Sequence, residues 1–136
     1  MGGGTTTPPP PPPPSGSNEA ESNNTTGSAN AVTLSGTVMN GNMGSSSDTD
    51  YFVVQLPAGR TLSSTLTMGS ASADYDLLVY SSNGSLIGKS ENPAGQTDAV
   101  SVANTGSSTF ARYVRVLYYS GGTGAASGKY TLKLTW

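Results

Sequence analysis

Residues 129–136 read Lys129-Tyr130-Thr131-Leu132-Lys133-Leu134-Thr135-Trp136. Tyr130, Leu132, Leu134 and Trp136 alternate without a break with Lys129, Thr131, Lys133 and Thr135. A period of two sends successive side chains to opposite faces of an extended chain, so this segment is a β-strand with one face buried. The same signature runs back through the sequence. Phe52, Val54 and Leu56 share a face within Tyr51–Leu56, and Leu62, Leu66 and Met68 share one, through Ser64, within Thr61–Met68. Further strands are expected at Val32–Val38, Leu77–Tyr80, Leu86–Lys89, Ala99–Ala103 and Phe110–Tyr119. The separators are turn-formers: Pro57-Ala58-Gly59, Asn83-Gly84, Asn92-Pro93 and Gly121-Gly122. No segment carries a capped 3.6-residue apolar period. About eight short strands predict an all-β fold, an antiparallel two-sheet β-sandwich that is jelly-roll-like.

The front of the chain cannot take part in such a core. Residues 1–30 hold only Met1, Ala20 and Ala29 from the hydrophobic set, so the sandwich is expected over 32–136. Residues 1–17 form a Gly/Thr/Pro-rich linker in which Pro8 to Pro14 are consecutive. Seven fixed φ angles without amide donors predict polyproline II, a semi-rigid spacer of about 20 Å. A spacer implies an upstream domain. The opening Met1-Gly2-Gly3-Gly4 has neither the basic start nor the apolar stretch of a secretory signal, and reads as the cut front of a longer chain. Residues 18–31 are polar and acidic, disordered by composition alone.

Composition excludes whole classes of activity. Six Lys/Arg stand against eight Asp/Glu with no basic cluster, so nucleic acid is not an expected partner. No apolar run reaches the length a membrane-spanning helix needs. With no cysteine and no histidine, thiol nucleophiles, Ser-His-Asp triads, imidazole bases and Cys/His zinc sites are all absent. The chain is expected to be a monomer and not an enzyme.

The acids are patterned. Six of the eight fall in i, i+2 pairs: Glu19/Glu21, Asp48/Asp50 and Asp74/Asp76. In extended chain such pairs project on the same side, about 7 Å apart, and repel unless a cation, amides or water share them. Calcium accepts carboxylates, amide carbonyls and backbone carbonyls in sets of six to eight. Glu19, Glu21, Asn23 and Asn24 supply four oxygen-bearing side chains, and the loop ending in Asp48 and Asp50 supplies two more. The competing reading is that such acids accept loop amides or solubilise an edge. For Asp74 and Asp76 that structural role is expected, with the carboxylates accepting backbone N–H groups at the start of the Leu77 strand.

Three stretches together resemble one family. Asp48-Thr49-Asp50-Tyr51-Phe52 with Leu56-Pro57-Ala58-Gly59 is similar to its opening, and Asp74-Tyr75-Asp76-Leu77-Leu78-Val79-Tyr80 with Asn83-Gly84 to its centre. Tyr113-Val114-Arg115-Val116 with Gly128-Lys129-Tyr130-Thr131-Leu132 is similar to its ending. In order and spacing, residues 18–136 resemble the bacterial pre-peptidase C-terminal domain, related to the collagen-binding segments of clostridial collagenases. The resemblance implies a non-catalytic, extracellular β-sandwich on a secreted hydrolase, most often a peptidase. Some relatives hold insoluble substrates such as collagen, and some domains are cleaved off during maturation. It also implies calcium at Glu19, Glu21, Asn23 and Asn24, with Asp48 and Asp50 as loop partners. Ser22 stands where the family usually has Pro, and Asn24 where Asp is common, which implies weaker affinity.

A domain that binds a polymer needs aromatic groups outside. Family register turns Val114 and Val116 inward, so Tyr113, Arg115, Leu117 and Tyr119 share the outer face. Such a row suits a fibrous partner, but outer tyrosines also serve ordinary cross-strand packing. Tyr118 and Tyr130 are expected in the core, the latter with its hydroxyl in reach of the acids. The expected function is an accessory domain anchoring its enzyme to an insoluble protein or polysaccharide, collagen above others. The alternatives are an export or folding element that is discarded, and a carbohydrate-binding module. The sole tryptophan, Trp136, is terminal and cannot build a sugar platform alone.

Overall fold

In the computed structural model, residues 15–136 are described; the expected polyproline spacer at Pro8–Pro14 lies outside them. Ten strands follow in chain order. They are β1 (Ser15–Asn18), β2 (Asn30–Ala31), β3 (Thr37–Asn42), β4 (Thr49–Leu56), β5 (Thr61–Met68), β6 (Asp74–Tyr80), β7 (Leu86–Ser90), β8 (Asp98–Ala103), β9 (Phe110–Ser120) and β10 (Lys129–Thr135). Among the described residues the helical content is one 3-10 turn at Thr26–Ser28 and one α turn at Gly124–Ser127.

The strands form two five-stranded sheets, ordered β1-β3-β10-β5-β8 and β2-β4-β9-β6-β7. The eight longer strands pair antiparallel, whereas β1 joins β3, and β2 joins β4, in parallel. Without β1 and β2, the sheets interleave the chain's strands as first-eighth-third-sixth and second-seventh-fourth-fifth, the weave of a jelly roll. The all-β sandwich is as the alternation predicts, with two short parallel strands added.

The core lies between the facing sheets. Leu62, Leu66, Leu132 and Leu134 from one sheet meet Phe52, Val54, Leu56, Leu77, Val79, Val114 and Val116 from the other, all fully buried. Each such side chain contributes about 1.5–3 kcal/mol by leaving water, so this layer outweighs any single polar contact in the domain. Tyr118 is only partly buried, packed against that core.

One strand differs from expectation. The sequence predicts Val32–Val38, but β3 covers Thr37–Asn42. Gly36 has φ 92°, a left-handed conformation that suits glycine, and Thr37 Oγ1 donates to Leu34 O at 2.7 Å. This turn separates Val32, which extends the β2 pairing by donating its N–H to Val53 O at 2.9 Å, from β3. Leu34, apolar at the right spacing, is 53% exposed.

Candidate metal centre and aromatic face

The polar segment after β1 passes from one sheet to the other. The Glu19 N–H donates to Asn40 O at 2.9 Å, still following β3, while Tyr51 N donates to Asn23 O at 2.8 Å, already following β4. A capping box at Thr25 and Ser28 then turns the chain into β2. This path carries Glu19 and Glu21 to Asp50, the second residue of β4. Carboxylate oxygens of Glu19, Glu21 and Asp50 lie within 4.8 Å of one another. Calcium–oxygen distances of about 2.3–2.6 Å place ligands on opposite sides of an ion at that separation.

Each member is held. Glu19 Oε1 accepts from Asn42 N at 2.6 Å, and Oε2 from Asn23 Nδ2 at 3.1 Å. Asp50 is fully buried, and its Oδ2 accepts from the Tyr130 hydroxyl at 2.5 Å. Its Oδ1 is buried without a donor, as is Oδ1 of the fully buried Asn23. Burial, then the charges of Glu19 and Asp48, push the Asp50 carboxyl well above the usual range, although the Tyr130 hydrogen bond opposes this. Burial and the charges of Asp48 and Glu19 push Glu21 up too. A cation held there would offset both effects, by serving the bare oxygens and screening the repulsion.

Asp48 and Asn24 stand beside this trio. Asp48 Oδ2 accepts from Gly44 N at 2.9 Å. The Asn24 amide lies 2.7 Å from Thr49 O and 3.1 Å from Asp48 Oδ1. With its nitrogen toward them it donates to both, so Asn24 holds the Asp48 carboxylate in place beside the trio. The six residues expected as ligands thus fall in one neighbourhood, with Glu19, Glu21 and Asp50 the tightest. Two features escape a reading of the sequence. A Cβ on Gly41 would collide with the Tyr130 ring, so glycine there lets that ring lie across β3 and reach Asp50. Asn30 ties the segment down, its Oδ1 accepting from Ala20 N at 2.9 Å and Asn23 Nδ2 at 3.0 Å.

The outer face of the second sheet carries the expected row on β9. Tyr113 pairs with Val53 and Tyr80, and Arg115 with Tyr51 and Leu78. Arg115 Nε donates to Thr49 Oγ1 at 2.8 Å and one Nη to the Tyr80 hydroxyl at 3.3 Å. Its guanidinium also lies 5.2 Å from the Tyr51 ring centroid, and Tyr51 and Tyr80 are 6.2 Å apart. Arg115 therefore bridges Tyr51 and Tyr80 on this face. Tyr119 sits at a β9 irregularity, where Tyr75 pairs with Tyr118 but Asp74 with Ser120, and it is 68% exposed. Tyr51 and Tyr80 were not singled out by the sequence, since which strands flank β9 is a matter of sheet order.

One expectation fails. Asp74 and Asp76 accept no backbone N–H among the described residues; beside them it is Asp98 that does, its Oδ1 accepting from Asn92 N at 2.8 Å and Ser90 Oγ at 2.7 Å. The loop amides after β7 turn toward β8 instead.

No family model matches this chain, and no curated protein matches it. Among solved structures it is similar to the pre-peptidase C-terminal domain of a collagenase from Bacillus anthracis. The TM-score is 0.58 at 14% identity, over 79% of this chain and 94% of that one. The sandwich is thus of the pre-peptidase C-terminal type in fold.

Proposed function

We propose, from that likeness of fold, that this chain is a non-catalytic accessory domain of a secreted bacterial protease, which it anchors to an insoluble protein polymer, collagen first among candidates. The observation that carries the reading is the tyrosine surface in which Arg115 bridges Tyr51 and Tyr80. Tyr51, Tyr80, Tyr113 and Tyr119 offer flat amphipathic area at low entropy cost, as attachment to a fibre needs. The absence of histidine and cysteine from the sequence supports a role in binding over one in turnover.

Calcium belongs to this reading as a structural ion. Bound by Glu19, Glu21 and Asp50, with Asn23, Asn24 and Asp48 beside them, it would lock the inter-sheet segment to the sandwich. Sedimentation with insoluble collagen, chitin and cellulose tests the anchoring. Retention on collagen is expected, and protein left wholly in solution on every polymer would overturn it.

A further inference from the structure

At the Tyr119 end of the aromatic row lies a cleft of about 400 Å³, lined by Asp74, Asp76, Glu91, Asn92, Pro93 and Tyr119. Asp74 is 8% exposed and Asp76 7%, yet neither receives a hydrogen bond from the described residues, and Asp74 Oδ1 is wholly buried without a donor. Asp98, fully buried on β8, stands close enough to raise both carboxyls by its charge. Burial, then Asp74, Glu91 and Asp98, push the Asp76 carboxyl up to about 6, opposed by Lys89 alone. Lys89 is already paired with Glu91 at 2.9 Å on the surface. Four acids thus meet one lysine. Carboxylates with a purely structural task are normally served by amides or a paired cation, and Asp74 and Asp76 have neither.

We propose that this cleft binds a guanidinium group, the side chain of an arginine presented by a protein partner. The spread of the acids separates this from a metal site. Among the described residues, only Glu19, Glu21 and Asp50 bring three carboxylates within 4.8 Å of one another. No three carboxylates of the cleft converge in that way, so an ion would find at most two of them, whereas the five donors of a planar guanidinium fork can serve acceptors set around it. Pro93 and Tyr119 also line the cleft and offer apolar and aromatic surface against which a guanidinium can pack. The inference does not depend on the anchoring role.

Titration of the isotopically labelled 136-residue chain with N-acetylarginine methylamide, followed by amide chemical shifts, tests it. Saturable shifts are expected at residues 74–76, 91, 92 and 119. The citrulline analogue, neutral but of the same shape, should bind about tenfold more weakly. Asp76→Asn and Asp74→Asn should each weaken arginine binding about fivefold without lowering the melting temperature, because each removes an uncompensated buried charge. Equal binding of citrulline, shifts confined to other residues, or no saturation would overturn the proposal. So would calcium alone moving these same amides at lower concentration than arginine, which would make the cleft a metal site.

Discussion

The Tyr130 hydroxyl and Asp50 Oδ2, 80 positions apart in the sequence, meet at 2.5 Å in the interior. This bond joins β10 of one sheet to β4 of the other and sits directly beneath the Glu19–Glu21 segment. Removing it by Tyr130→Phe leaves a buried carboxylate without its one donor. Urea unfolding should show a loss of about 1–3 kcal/mol, the cost of leaving a buried acceptor unsatisfied.

Gly41→Ala acts on the same bond from the other side. The added methyl collides with the Tyr130 ring, which must tilt or push β3 outward. Overpacking of this kind costs about 1–3 kcal/mol. A melting temperature equal to that of the parent chain would show that the ring has another place to go.

Calcium should raise the melting temperature, and EGTA should reverse the rise. At free calcium a hundredfold above Kd, mass action supplies about 2.7 kcal/mol. For a domain of this size that corresponds to a shift of about 10 °C. Glu21→Ala should abolish the shift while leaving the melting point in EGTA unchanged or slightly higher, since it also removes a repelling charge.

The acidic cleft predicts the pH dependence of stability. The Asp76 carboxyl is raised from 3.8 to about 6 in the folded chain, so between those values the native state holds the proton that the unfolded state releases. Stability from this group is therefore present below about pH 4 and lost as pH rises through 6. Asp74, Asp98 and Glu91 face the same carboxyl and act in the same sense, while Lys89 opposes them. Melting followed from pH 7 to pH 5 should show a gain to which Asp76 supplies about 1 kcal/mol, the raised Asp50, Glu21 and Asp74 carboxyls adding in the same sense, and Asp76→Asn should make that slope shallower.

On the polymer, Tyr113→Ala and Tyr119→Ala should each reduce retention on collagen several-fold. Tyr119 is 68% exposed, so its loss should barely move the melting temperature. Arg115→Ala should reduce both retention and stability, because its guanidinium bridges Thr49, Tyr80 and Tyr51.

The sequence alone determined which face of each long strand goes inward. Phe52, Leu66, Val114 and Leu132 are buried where a period of two puts them, because burial of alternate side chains needs no knowledge of the partner strand. It also determined, by holding no histidine or cysteine, which chemistries are closed to this chain. The turn at Gly36 and the strands β1 and β2 were beyond its reach. Polar residues there pair through the backbone, which leaves no hydrophobic trace. Only the tertiary structure decided what stands beside what. The order of strands sets Tyr51 and Tyr80 around Arg115, and the packing of one sheet on the other brings Asp50 to Glu19 and Glu21, and Asp98 near Asp74 and Asp76. Contacts between residues so far apart are set by sheet order and register, and no local pattern encodes either one.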